Sequence, residues 1–176
     1  MLINDTHMVT EASAWVVKHA ERIGKNGLVL DLACGSGRHA LYLASLGLQV
    51  IAVDRDLSVL RGQKLPMEIK LLEMDLENSP WPFGENEFDA IVVTNYLHRP
   101  LFAKIIATLK TGGVLIYETF AIGNEKFGKP SNPDFLLQPG ELLDAVRGSM
   151  RVVAYEDDYI ELPKAAMIQR ICAIKS

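Results

Sequence analysis

An apolar run, Leu28-Val29-Leu30-Asp31-Leu32, passes straight into Ala33-Cys34-Gly35-Ser36-Gly37, and a helix-forming stretch opens at Arg38-His39-Ala40. No other part of the chain constrains the fold as much. Gly35 and Gly37 permit backbone angles and close approaches that a side chain forbids. Amides bared at such a turn, and at the start of the helix behind it, can hold an anion or the polar edge of a ligand. Strand, glycine turn and helix in that order form the crevice at the carboxyl end of the first strand of an open α/β sheet.

Gly35-Ser36-Gly37-Arg38-His39-Ala40 satisfies the G-x-G-x-x-G/A pattern of dinucleotide sites, and Asp54 follows about twenty residues on, where a ribose-binding carboxylate belongs. Asp31 argues against a dinucleotide, because a carboxylate inside the strand end would face the pyrophosphate. The glycine turn also begins a longer ordered pattern. Asp31-Leu32-Ala33-Cys34-Gly35-Ser36-Gly37 is followed by Val53-Asp54 after a second apolar run and by Met74-Asp75-Leu76 after a third. That ordered set resembles the class I S-adenosylmethionine-dependent methyltransferases over nearly the whole chain. Within that superfamily it looks most like small bacterial enzymes related to tellurite-resistance methyltransferases.

The resemblance implies an α/β fold: a doubly wound, mostly parallel, seven-stranded Rossmann-like sheet with an antiparallel final strand and helices on both faces. It implies S-adenosylmethionine as cofactor and places the binding residues. Asp31 would organise the glycine loop and meet the methionine ammonium, while Ala33, Gly35 and Gly37 would lie against the cofactor. Asp54 would accept from both ribose hydroxyls, with Arg55 beside it as an ion-pair partner or a wall of the adenine pocket. Asp75 would accept from the adenine amino group, with a turn cap as its competing role. Leu76 would offer its amide to the ring and its side chain to the base. Asn95 would touch the amino-acid end. A sulfonium methyl is already electrophilic, so holding it in line with an acceptor supplies much of the catalysis. A base is required only when the acceptor must lose a proton.

The acceptor side is read from Thr94-Asn95-Tyr96-Leu97-His98-Arg99-Pro100, which leaves the fourth strand at the same edge. His98 is a candidate base, since an unperturbed imidazole titrates near neutrality. Arg99 is a candidate partner for an anionic acceptor, or a surface ion pair. Tyr96 is a candidate pocket wall or proton relay. Glu118 could bind an amine acceptor or pair with Arg99, and His39 could line the acceptor side. Residues 120–138 mix glycine, proline, aromatic and charged residues. A long loop inside a compact domain, leaving the ligand edge, reads as a lid or acceptor-site wall. Its Phe120, Lys126, Phe127 and Lys129 could enclose a small anion or meet a loop of a macromolecule.

The periodicity predicts helices over 8–24 (capped by Thr6 or Thr10, with Trp15 as core filler), 38–46, 56–62, 101–109 and 141–147. Ala40, Leu43, Ala44 and Leu46 form the expected buried face of the second. Strands are predicted at 28–32, 49–53, 68–73, 87–93, 114–119, 151–156 and 165–174. Trp81 and Phe83 should tack the proline-rich loop 78–84 onto the sheet.

A chain of 176 residues with 49% hydrophobic residues suits a single domain, 1–176, with a real core. It has no 18-residue apolar run for a membrane span and no secretory leader, so the cytoplasm is the expected location. A net charge of -4 with scattered Lys and Arg gives no nucleic-acid footprint. The expected acceptor is therefore a small molecule, either anionic or a soft nucleophile, with no membrane partner and a monomer or homodimer as the assembly. Cys34 and Cys172 show no metal-ligand spacing. No metal is expected, and Cys172 reads as inert core while Cys34 reads as partly reachable. Three other functions remain open at this point: RNA or protein methylation, nicotinamide-dependent redox chemistry, and a non-catalytic cofactor-binding scaffold.

Overall fold

A computed structural model describes residues 11–176. Its strands are β1 (Leu28–Leu32), β2 (Gln49–Asp54), β3 (Ile69–Glu73), β4 (Phe88–Thr94), β5 (Leu109–Phe120), β6 (Met150–Ile160) and β7 (Ala166–Lys175). They form one 7-stranded sheet in the order β3-β2-β1-β4-β5-β7-β6. β1 to β5 run parallel, and β7 inserts antiparallel between β5 and β6. This is the expected fold. The strand order reverses between β1 and β4, which opens a crevice at their carboxyl ends.

The central strands read as continuous apolar runs because helices cover both faces. One face packs α1 (Ala14–Ala20), α2 (Arg38–Ser45) and α3 (Ser58–Arg61) through Val16, Ala40, Leu43 and Leu60. The other packs α4 (Phe102–Thr108) and α5 (Glu141–Val146) through Ile105, Leu142 and Val146. No described helix is long and apolar enough to cross a membrane.

Several boundaries differ from the sequence expectation. Thr6 and Thr10 lie outside the described residues. The helix instead starts after Ser13, whose hydroxyl accepts from the Trp15 amide at 3.1 Å. Trp15 is core, as expected, with its indole N–H donating to the Ile171 carbonyl. Leu46 is exposed rather than buried, because α2 stops at Ser45 and the chain turns out. β5 begins at Leu109, before the turn at 111–113. That turn is absorbed as a bulge in the β4–β5 ladder, with Gly112 at φ 78°. β6 runs on to Ile160 because β7 pairs with it along its length. Phe83 stacks edge-on with Phe88 of β4, which tacks the 78–84 loop onto the sheet as expected, while Trp81 stacks on Phe83 and donates to the Thr108 hydroxyl of α4.

The segment 120–138 is folded back on itself. Ile122 N–H donates to Leu137 O, and Leu137 N–H donates to Phe120 O. Asn124, buried, donates to Pro130 O and accepts from the Met167 amide. Leu136 and Leu137 are buried at its base, whereas Phe127 and Phe135 are exposed.

Candidate active site

The turn after β1 has the left-handed backbone that its glycines suggest. Ala33, Gly35 and Gly37 sit at φ 55°, 54° and 79°. Ala33 carries this conformation without a glycine's freedom, at a cost on the order of 1 kcal/mol. Gly37 opens α2, and a methyl placed there would overlap the fully buried Leu60 side chain. Gly37→Ala should therefore lose about 2 kcal/mol of unfolding free energy in chemical denaturation, from combined strain and overpacking. Gly35 differs: a Cβ there would meet nothing within 4 Å. Its backbone faces open space, as a ligand cradle requires.

Asp54, at the end of β2, binds this turn directly. One carboxylate oxygen accepts from the Gly35 amide at 2.8 Å and the other from the Asp56 amide at 3.2 Å. Asp31 lies behind the turn, 1% exposed, and its Oδ2 has no hydrogen-bond partner among the described residues. Burial raises its pKa to about 7, against the lowering effect of the Ala40 amide and Arg38. An orphaned buried carboxylate oxygen is expensive, and a cationic ligand group is the natural remedy.

Asp75 is engaged as a turn cap, accepting from the amides of Glu77 and Asn78 and from the Asn78 side chain. That is the competing role weighed for it. Leu76 is buried in the core beside the β3 exit, and Arg55 is exposed with no ion pair among the described residues. Asn95 adopts φ 54° directly after β4, and its amide donates to Glu118 O.

The three residues expected to be catalytic separate. Tyr96 and His98 both face Glu77, on the exit from β3. His98 Nδ1 lies 4.0 Å from the Glu77 carboxylate. Burial, then the Glu77 charge, pushes the Tyr96 phenol up, so it stays protonated. Arg99 makes the ion pair weighed as its alternative role. Its guanidinium grips Glu141 through two donors, at 2.6 and 3.0 Å, and donates to the carbonyls of Asp134 and Leu136. It clamps the base of the 120–138 segment to α5 and is not free for an anion. Glu118 does not pair with Arg99 either: it accepts from Ser13 Oγ at 2.6 Å and from Arg170 at 3.1 Å.

His39 is buried rather than lining a pocket. Its Nε2 accepts from the Ser13 amide at 3.1 Å, so Nδ1 carries the proton toward Thr94 Oγ1 at 3.2 Å. Both ring nitrogens are spent, and burial followed by the Arg38 charge lowers its pKa to about 4. Cys34 is buried, not reachable, and its thiol is pushed up by burial. Cys172 is inert core as expected. Among the described residues no cluster of His, Cys, Asp and Glu could hold a metal ion.

Sequence reasoning missed Glu77, Ser13, Glu141 and Arg170. Glu77 stands two residues after Asp75 and could have been found by extending that motif. The others meet their partners only through the sheet topology.

Residues 29–113 match the family described as methyltransferase domain. The chain is 28% identical over 128 residues to a demethylmenaquinone methyltransferase of Paenarthrobacter aurescens, covering 68% of this chain and 50% of that protein. It is 29% identical over 151 residues to the secondary metabolism regulator LAE1 of Cochliobolus heterostrophus, covering 78% of this chain and 48% of that one. The chain thus spans about half the length of these curated relatives. Among solved structures, TehB from Haemophilus influenzae superposes with a TM-score of 0.79 at 23% identity, over 95% of this chain and 63% of that one. A 1,6-didemethyltoxoflavin-N1-methyltransferase of Burkholderia thailandensis, solved with bound 1,6-didemethyltoxoflavin and S-adenosylhomocysteine, superposes with a TM-score of 0.68 at 20% identity, over 92% of this chain and 76% of that one. At these identities the structures speak to the fold.

Proposed function

We infer that this chain, which belongs to the class I S-adenosylmethionine-dependent methyltransferases, moves a methyl group to a small molecule with a soft or already deprotonated nucleophile. One observation carries the binding half of this reading: the orphaned, fully buried oxygen of Asp31, set behind the open cradle at Gly35. A buried anion there suits the methionine ammonium. Asp54 sits at the rim of the same turn, where it can accept from ribose hydroxyls while holding the Gly35 amide. Asp75 and Leu76 leave β3 on the adenine side, and Asn95 leaves β4 on the side of the amino-acid end. When bound, S-adenosylmethionine supplies a sulfonium methyl open to in-line displacement.

The acceptor half follows from what the polar groups at this edge are already doing. His39 has no free nitrogen, Tyr96 keeps its proton, Glu118 is ion-paired, and Arg99 is a clamp. Among the described residues of this edge, His98 and the Glu77 carboxylate beside it remain as proton acceptors, on the β3 flank. Such an edge can orient a nucleophile and exclude water, but it offers little general base. A thiolate, a reduced chalcogen oxyanion or a similarly activated acceptor fits it. The 120–138 segment serves as the acceptor-site wall, with Lys126 and Lys129 as its cations. A relative named as a demethylmenaquinone methyltransferase supports a compact acceptor.

The test is calorimetric titration with S-adenosylmethionine, S-adenosylhomocysteine and NADH, run beside an Asp54→Ala variant. The first two should bind saturably, and the variant should weaken both at least tenfold, since losing charge-assisted hydrogen bonds costs about 1.5–3 kcal/mol. Binding of NADH alone would replace this reading with a redox one. Tight cofactor binding without turnover of any acceptor would point to a scaffold.

A further inference from the structure

The segment leading into α1 is fastened where the cofactor crevice is built. The Ser13 amide donates to His39 Nε2 at 3.1 Å, and its hydroxyl donates to Glu118 Oε1 at 2.6 Å. Ser13 Oγ also accepts from the Trp15 amide, so the hydroxyl's one proton and one lone pair are used without conflict. Two residues earlier, the Glu11 carbonyl accepts from Arg38 Nη1 at 3.1 Å. Arg38 and His39 are the first residues of α2, directly after Gly37. Glu118 lies near the end of β5 and receives the Asn95 amide on its carbonyl. Residues 11–13 are therefore strapped across the first turn of α2 and the end of β5, bridging the glycine turn and the acceptor edge.

The partners are themselves held. Thr94, 8% exposed, fixes the far nitrogen of His39, which sets the tautomer that can receive the Ser13 amide. Arg170 holds the second oxygen of Glu118, bonds Glu156 at 2.7 Å, and lies over the Trp15 ring at 4.9 Å. The result is a continuous polar chain, Thr94–His39–Ser13–Glu118–Arg170, with its members buried or half-buried. Networks of this kind are costly to leave half-made. An ordinary helix cap needs only the Ser13 hydroxyl and the Trp15 amide. The additional bonds to His39 and Glu118 tie the strap to the ligand edge.

We propose that Ser13 is a positioning residue: its bonds to His39 and Glu118 hold residues 11–13 against the crevice and set how fast the cofactor leaves. This rests on the methyltransferase reading. Ser13→Asp separates the strap from the cap. Asp caps helices as well as Ser does, but it sets a second carboxylate against Glu118. Ser13→Thr keeps both functions.

The experiment measures dissociation of S-adenosylhomocysteine by stopped-flow displacement, with the thermal midpoint and amide hydrogen exchange of residues 11–16 recorded on cofactor-free protein. Ser13→Asp should release S-adenosylhomocysteine about tenfold faster or more and lose protection at residue 13, with a midpoint a few degrees below wild type because the cap is kept while the network is broken. Ser13→Thr should stay within about twofold of the wild-type rate. An unchanged rate in Ser13→Asp would overturn the proposal, and so would equal acceleration in both variants. A wild-type protein that binds no S-adenosylhomocysteine would remove the methyltransferase reading and this inference with it, even with the Ser13 amide protected. Protection combined with cofactor binding and an unchanged Ser13→Asp rate removes the inference alone.

Discussion

Asp31→Asn should make the protein more stable above neutral pH and nearly unable to bind its cofactor. Burial raises the Asp31 pKa from 3.8 to about 7. The folded state thus holds this proton more tightly than the unfolded chain does. Stability from this group is complete below about pH 4, falls as the pH climbs toward 7, and is flat above. The total is on the order of 4 kcal/mol, from about 1.4 kcal/mol for each pKa unit. Asn has nearly the same shape and no charge to bury. The variant and wild type should therefore match near pH 4 and diverge upward, with the variant melting about 10 °C higher at pH 8. Cofactor binding should move the other way. An ammonium that meets the carboxylate favours its ionised form, so wild-type affinity should weaken about tenfold per pH unit below 7. The variant should bind at least a hundredfold more weakly at pH 8 and show no such slope. Melting curves and calorimetric titrations at pH 4, 6 and 8 check both arms. A variant no more stable than wild type at pH 8 would mean that Asp31 has a buried partner.

This trade is visible in the sequence because every part of it is local. Asp31, Gly35 and Gly37 lie within a few residues of one another, and Asp54 arrives at the end of the next strand. The same locality made the parallel core legible: apolar runs broken by Gly47, Gly62 and the prolines of 78–84 give strand and helix in turn. Legibility failed where partners are far apart in the chain. Ser13 meets Glu118 across 105 residues, and Arg170 meets Glu118 across 52. No periodicity reports such a pair, and nothing in the sequence marks out Ser13, where the helix expected to be capped by Thr6 or Thr10 starts. The β5 bulge was hidden for another reason. Thr111-Gly112-Gly113 reads as a turn, and it is one, but backbone pairing continues through it. Polar residues at the ligand edge were the hardest to read. A histidine after a glycine turn and an arginine after a strand carry the same letters whether they touch a substrate or hold the scaffold.

Arg99 is the sharpest case, and Arg99→Leu should cost stability rather than chemistry. Its guanidinium makes a bidentate pair with Glu141 and reaches the carbonyls of Asp134 and Leu136. Glu141 also receives the Gln138 amide, so one ion pair ties both ends of the turn into α5. The Glu141 carboxyl is lowered by Arg99 and the Gln138 amide despite its burial, and the guanidinium is raised by Glu141. Arg99 is 39% exposed in its side chain, which discounts the Coulombic part. The carbonyl of the fully buried Leu136 is not so discounted, because removing Arg99 leaves it without this donor. The loss should be about 3 kcal/mol, the sum expected for several partly screened charge-assisted bonds. Hydrogen exchange should quicken across residues 133–141, where the clamp acts. Cofactor affinity should change less than about threefold, because the clamp stands apart from Asp31 and Asp54. Arg99→Lys should recover little, since a single ammonium cannot reproduce a planar fork that meets Glu141 and both carbonyls. A variant that keeps its stability but loses turnover on an anionic acceptor would restore Arg99 to the substrate. With the clamp intact, the 120–138 segment is tied at its base to α5, while Lys126, Phe127 and Lys129 stand exposed beyond it.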